Sequence, residues 1–287
     1  MRQDLTTGPV AKTMLLFSLP LIAGDMLQQL YNVADTLIVG RFLGAEALGA
    51  VGSAYTLMTF LTSILLGLAL GSGAVFSMEW GRRDLAELRR SVFSAFCLIA
   101  ALTAALTAFA FLFLDGILRF LQVPAENYGL MRAYLWVIFL GIPATFLYNF
   151  FACLVRAVGD SAAPLVFLGL SAGVNIALDL WFVVGLGWGV EGAAAATVIA
   201  QYLSGGAMAA YTALRWPQLL PGRGERRLGR ENLSRIARFS LLTCAQQSVM
   251  NFGILLVQGR VNSFGPAVMA AFAAGVKIDA FAYLPVQ

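Results

Sequence analysis

The 287-residue chain has no histidine, three cysteines and few charges, only 12% of its residues being Asp, Glu, Lys or Arg. A soluble domain carries about 25% charged residues, so a water-facing surface of ordinary composition is excluded. Cys97, Cys153 and Cys244 lie within or near apolar runs without paired or metal-ligand spacing. They read as small hydrophobes rather than as a disulfide or zinc framework. What is abundant is apolar sequence: 60% of the residues are hydrophobic, and mean hydropathy is +0.80. This is the composition of an all-α polytopic membrane protein, with the lipid bilayer as its first partner. The 19 Lys+Arg against 15 Asp+Glu sit in short loops between apolar runs. They form no basic face, and no nucleic-acid partner is expected.

A helix that crosses a bilayer needs about 20 apolar residues. Such runs predict spans near 13–40, 46–78, 91–114, 128–154, 164–185, 190–214 and 234–260, with an eighth from about 266. The eighth is still running at Gln287, as expected of a chain truncated at its C-terminus. No small-residue cleavage site lies at signal-peptide distance from the start, so the first span is expected to stay in the mature protein. With the N-terminus in the cytoplasm, fourteen Lys and Arg fall inside and four outside, Lys277 lying within span eight. That asymmetry predicts a cytoplasmic N-terminus.

The long basic stretch "LRWPQLLPGRGERRLGRENLSR" divides the chain into a six-helix unit over 1–214, a cytoplasmic linker over 215–233 and a second unit over 234–287. "FSLP" at 17–20 recurs as "FSLL" at 239–242, and "GAEALGAVG" at 44–52 as "GPAVMAAFA" at 265–273. Six spans separate the copies, so both enter from the same side. This is a parallel repeat about an axis along the membrane normal.

Charges inside spans cost roughly 3 kcal/mol or more each, so they face protein or water. Span one carries Asp25, Gln28, Gln29, Asn32 and Asp35. Gln28 and Asp35 are seven residues apart and share a helix face, with Asp25 and Asn32 on a neighbouring line. Span five carries Asn175 and Asp179 one turn apart, and span six carries Thr197. At 1.5 Å per residue, Asp35 and Asp179 lie roughly 33 and 22 Å from the inner surface, and Tyr134 and Thr197 about 10 Å from the outer one. These groups converge on the outer half of the membrane and are expected to share one chamber. Oxygen ligands of this kind suit Na⁺, and paired carboxyls suit a proton. For Asn175, Thr197 and Tyr134 taken singly, plain interhelical hydrogen bonding explains them as well. Asp25 reads as a vestibule residue, and Glu79 and Asp84 as solvated groups at a helix end and in a loop. Lys277 and Asp279 lie on different faces of an incomplete span, and their role stays open. Pro20 and Pro143 each remove a backbone hydrogen bond and mark bends.

The segments "YNVADTLIVGRFLGAEALGAVG", "YLWVIFLGIPATFLYN", "RAVGDSAAPL" and "NIALDLWFVVGLGWGVEGAAAATVIAQ" resemble the multidrug and toxic compound extrusion (MATE) transporters, in order and over essentially the whole chain. The resemblance implies twelve helices in two six-helix lobes related by a pseudo-twofold axis. It implies efflux of small organic cations and other xenobiotics across the bacterial plasma membrane in exchange for H⁺ or Na⁺. No cofactor, enzyme activity or second subunit is implied. By the same resemblance Asp35, Asn175, Asp179 and Thr197 form the cation site, with Na⁺ a candidate ion. It implies Tyr134 beside that site and Pro20 as a hinge; Tyr134, with Gln28 and Asn32 from the polar face of span one, is expected to act as a relay. Span seven has Gln246, Gln247, Asn251 and Gln258 but no acid, which matches the DinF-like branch better than the NorM-like one. The alternative is a lipid or lipid-linked oligosaccharide flippase of the same superfamily, which would want a cationic cavity. A membrane-embedded enzyme would need a His, Ser/Lys or acidic metal motif at a membrane face, and none is found.

Overall fold

A computed structural model describes residues 10–222, 224–226 and 228–283, with side chains for 13–222, 224–226 and 228–276. Lys277 and Asp279 fall in the last helix with side chains outside the described residues. The helices are α1 (Val10–Gly81), α2 (Leu85–Leu112), α3 (Leu114–Phe120), α4 (Ala125–Ile138), α5 (Ile142–Ala157), α6 (Ala162–Asp179), α7 (Gly189–Arg215), α8 (Arg230–Asn262) and α9 (Pro266–Tyr283). Six of the helical stretches are long and apolar enough to cross a membrane. α1 is two limbs joined at Gly44, whose φ of 89° lies in the left-handed region that only glycine enters without strain. These limbs are the first two expected spans. A 3₁₀ turn, Phe139–Gly141, joins α4 to α5 just before Pro143, where the ring fits the first turn of a helix. By contrast, α1 runs through Pro20 with helical torsions, its only non-helical residue being Gly44.

The second limb of α1 runs antiparallel to α8 along its whole length, and small residues let the two backbones touch. A Cβ on Gly67 would stand 2.5 Å from the Cys244 Cα, and one on Gly71 2.5 Å from the Ser240 Cα. Between bilayer helices apolar surface gives no net drive, so close approach and interhelical hydrogen bonds hold the pair. Ser72 and Ser240 hydroxyls lie 3.1 Å apart, and Phe60 meets Phe252 at 5.6 Å. At one end of the pair a buried cluster forms: Gln258 Nε2 donates to Ser53 Oγ and Asn262 Oδ1, at 2.9 and 2.8 Å. Thr56 donates to Gln258 Oε1 at 3.1 Å, and Asn262 Nδ2 caps the Leu121 carbonyl at 2.8 Å. Both donors of Gln258 and one of Asn262 are thus spent inside protein, as burial requires.

The repeat is visible in the backbone. Gly265, at the offset of 221 from Gly44, has φ 94° and separates α8 from α9 as Gly44 separates the limbs of α1. Gly49 packs against Ala270, and a Cβ on Gly52 would collide with the Ala273 Cβ. Both pairs share that offset, so equivalent residues of the two copies meet at their junction. This is the contact a twofold relation produces.

The end bearing the linker differs from the sequence expectation. Glu79 is not solvated: it is 2% exposed, its Oε1 accepting from Ser91 Oγ at 2.8 Å and from Arg235 of α8. Arg235 also reaches Glu87 and Ser91, at 3.4 and 3.3 Å. Burial follows because α8 begins at Arg230, a turn earlier than expected, and lays its basic first turns over α1 and α2. Asp84 is exposed as expected, and caps α2 by accepting from the Glu87 N–H at 3.0 Å. The linker is pinned too. Arg89 donates to the Gln218 carbonyl and to Glu225, and Trp80 meets Trp216 edge-on. The Gly222 N–H, and then Arg89, hold the Glu225 carboxyl below its ordinary 4.5.

Two variants test this packing. Gly71→Val is expected to lower the unfolding temperature in detergent by roughly 2–10 °C, the cost of overpacking. Gly253→Val, whose Cβ meets nothing within 4 Å, is expected to leave it unchanged. Arg235→Ala strips the buried Glu79 of its cation and is expected to cost on the order of 2 kcal/mol, Arg235 being a third exposed. The double variant Glu79→Gln/Arg235→Gln should recover much of that loss in the same thermal assay. An equal loss in single and double variants would mean that the charge pairing is not its cause.

Candidate functional site

Four helices deliver the intramembrane polar groups to one place. Asp35 comes from the first limb of α1, Tyr134 from α4, Asn175 and Asp179 from α6, and Thr197 from α7. Asp179 is the last residue of α6 before a wide π turn, Leu180–Gly185. Such local widening recurs where a helix presents functional groups. Asp179 is fully buried, and no N–H or O–H group among the described residues donates to either of its oxygens. Its polar neighbour is the Asp35 carboxylate. Asn175, one turn earlier, donates from Nδ2 to Thr197 Oγ1 at 3.3 Å, while its own Oδ1 has no partner. Two carboxylates side by side repel one another, and three buried oxygens here lack a donor. A shared proton or a bound monovalent cation is what that arrangement accommodates.

The sequence places Tyr134, Gln28 and Asn32 nearby, and the structure agrees in position. Tyr134 is buried beside Asp35 and Asp179. Asn32 Nδ2 lies 3.4 Å from the Tyr55 hydroxyl, and the Thr36 hydroxyl donates back to the Asn32 carbonyl at 2.7 Å. Two tyrosines escaped the sequence reading: Tyr31, whose hydroxyl hydrogen-bonds with Thr197, and Tyr55 from the second limb of α1. Tyr31 stands one turn before Asp35, and that spacing was the available signal. An aromatic in a span otherwise reads as core.

A cavity of about 360 Å³ runs along the first limb of α1 from Pro20 to Asp35. Asp25, Gln28 and Asn32 line it, with Tyr134 and Thr197 near the deep end and Gln247 and Asn251 supplied by α8. Asp25 faces this cavity with Arg156 nearby, and so occupies the expected vestibule. A second cavity of about 130 Å³ lies among α5, α6 and α7, and Gln28, Tyr31 and Thr197 border both. Asn175 opens into the second cavity, and Asp179 lines neither. The single chamber expected from depth is therefore two connected lobes of space, with Asp179 set behind Asp35. The "GDSAAP" segment is structural: Asp160 accepts from the Ala163 N–H at 3.2 Å and from the Tyr211 hydroxyl at 2.8 Å.

Comparison with known proteins follows this geometry. The MatE family profile matches residues 20–181. Probable multidrug resistance protein YpnP of Bacillus subtilis is 30% identical over 282 residues, covering 98% of this chain and 63% of the relative. The FAD transporter of Shewanella oneidensis is 22% identical, covering 97% of this chain and 62% of the relative. A crystal structure of MATE in complex with MaL6 superposes with a TM-score of 0.86 at 25% identity, over 99% of this chain and 63% of that one. The chain thus spans a little under two thirds of the length of the relatives it matches. With the profile covering more than half of its residues and the helix arrangement shared throughout, the chain belongs to the MatE family and is a multi-pass, all-α membrane protein.

Proposed function

We propose that the chain forms the first six-helix lobe (1–214), the cytoplasmic linker (215–233) and the opening helices of the second lobe (234–287) of a cation-coupled antiporter. It would act as a monomer in the plasma membrane. Its cargo would be small organic cations and related xenobiotics, exported against inward flow of H⁺ or Na⁺. The observation that carries this reading is Asp179, fully buried with no donor to either oxygen among the described residues and set against Asp35 in the wall of a 360 Å³ cavity. In this reading Asp35, Asp179, Asn175 and Thr197 hold the ion, and Tyr134, Gln28 and Asn32 carry hydrogen bonds between the ion site and the cavity. An ion that binds one conformation more tightly than the other lowers cargo affinity by the same coupling free energy. The first limb of α1 is the moving part, since it lines the cavity from end to end. Pro20, which offers no N–H to the preceding turn, is its hinge.

A second reading concerns the cargo alone. Arg156 lines the cavity near Asp25, and its buried Nε has no partner. A relative named for FAD transport makes an anionic cargo the competitor to an organic cation.

Vesicles holding the protein, loaded with a fluorescent organic cation and given ΔpH or ΔNa⁺ separately, test the coupling. One gradient is expected to drive efflux, and indifference to both overturns antiport. Asp35→Asn and Asp179→Asn are each expected to cut gradient-driven efflux at least about tenfold, a loss of about 1.4 kcal/mol in coupling. Full efflux by Asp35→Asn would remove that residue from the ion site. A fluorescent anion run in parallel separates the two cargo readings.

A further inference from the structure

Asp35 borders a second, much smaller space. A chamber of about 20 Å³ lies on its far side from the substrate cavity, between α1 and α9, with walls that include Thr36, Leu48, Gly52 and Ala273. Three residues, Asp35, Tyr55 and Tyr134, line both this chamber and the 360 Å³ cavity. They form the partition between the two. We propose that this chamber is the ion port: a site for one bare monovalent cation, or one proton-carrying water, that gives the coupling ion access to Asp35 from the membrane face opposite the linker. The inference rests on the antiport reading and adds to it a route and a size filter.

Size comes first. A cavity of about 10–15 Å³ holds one water, so this chamber admits a single water-sized particle and excludes any organic cargo. Chemistry agrees. The walls offer the Asp35 carboxylate and the Tyr55 and Tyr134 hydroxyls. The Thr36 hydroxyl spends its proton on the Asn32 carbonyl and so presents only lone pairs. Oxygen acceptors of this kind replace the hydration shell of a hard cation. Position agrees as well. Leu48 is four residues from the bend at Gly44, about 6 Å along the helix. That bend lies at the opposite end of α1's second limb from Glu79 and the linker contacts. The substrate cavity instead extends toward Pro20 and Arg156. Gly52 and Ala273 also meet at the junction of the two repeat copies, where a Cβ on Gly52 would collide. A small rotation between the copies therefore opens or shuts the chamber without moving Asp35.

Silver ion, comparable in size to an alkali cation and reactive toward thiols, tests the route without any transport. Thr36→Cys and the cavity-side control Thr59→Cys would be placed in a background with Cys97→Ala, Cys153→Ala and Cys244→Ala. Intact cells and inside-out membrane vesicles expose opposite faces, and the remaining thiol is read by maleimide labelling after denaturation. Thr36→Cys is expected to be blocked by Ag⁺ from the face opposite the linker, and to resist a bulky methanethiosulfonate from that face. Thr59→Cys is expected to react with the bulky reagent from the linker face. Leu48→Trp, which fills the chamber, is expected to slow Ag⁺ access to Thr36→Cys at least about tenfold, and Leu48→Cys replaces Thr36→Cys if that variant does not fold. The port is refuted if the chamber cysteine is reached only from the linker face, reacts as readily with the bulky reagent, or is reached by Ag⁺ from neither face. Access is read with no cargo or gradient present, so a negative result leaves the antiport assay standing, and a failed antiport assay leaves the access result intact.

Discussion

An ionised group in hydrocarbon costs roughly 3 kcal/mol or more unless protein or water answers it, and the arrangement of this chain follows from how each such group is answered. Glu79 is answered by Arg235 and Ser91, at the end where the linker crosses. Asp25 is answered by the open cavity and by Arg156. Asp179 is answered by no donor among the described residues and lies against Asp35, which is the least stable solution of the three. A fully buried acid with no donor, held against a second acid, favours a proton or a cation beside it. The polar arc of α1 is therefore turned inward, and α4, α6 and α7 gather around it with Tyr134, Asn175 and Thr197.

The contact between the two repeat copies is built from different materials. Along the second limb of α1 and α8 the groups are small or neutral: Gly67 and Gly71 against the Cys244 and Ser240 backbone, and Ser53 and Thr56 against Gln258 and Asn262. Neutral hydrogen bonds between bilayer helices are worth about 1 kcal/mol each, because an alternative partner is usually at hand. Such an interface holds the copies together yet lets them shift. Among the described residues, opposite charges meet across it only where Arg235 faces Glu79 and Glu87, at one end. A rotation that spares those ion pairs would pivot there and open the far end, where the Gly52–Ala273 contact and the small chamber lie.

Much of this was legible in the sequence, and for a physical reason. Asp35, Asn175, Asp179 and Thr197 stand out because a polar group in an apolar run is costly wherever the helix ends up. The spans and the repeat were legible because hydrophobic length and the glycines at 44 and 265 are local properties. Legibility stopped where a residue's environment comes from far along the chain. Glu79 reads as solvated until Arg235, 156 positions later, is laid over it. Tyr31 and Tyr55 read as ordinary aromatics until Thr197 and Asn32 meet their hydroxyls. Distance along the helices brings Asp179 to Asp35 but says nothing of rotation about the helix axis, and Asp179 lies behind Asp35 rather than in the cavity wall.

The halves of the repeat share a backbone plan but divide the charge. Offset by the repeat, Asp35 corresponds to the apolar Leu256–Val257 region of α8, whose contributions to the cavity, Gln247 and Asn251, are neutral amides. Among the described residues, the polar groups around the acid pair come from α1, α4, α6 and α7. Moving α8 relative to them changes hydrogen bonds and space, but brings no new charge toward the pair. α1 carries Asp35 on its first limb and packs against α8 with its second, so a change at that acid reaches the contact between copies along this helix. The Gly44 bend joins those two limbs, and the first limb is also the wall of the cavity. The acid, the cavity wall and the inter-copy contact therefore meet on a single element.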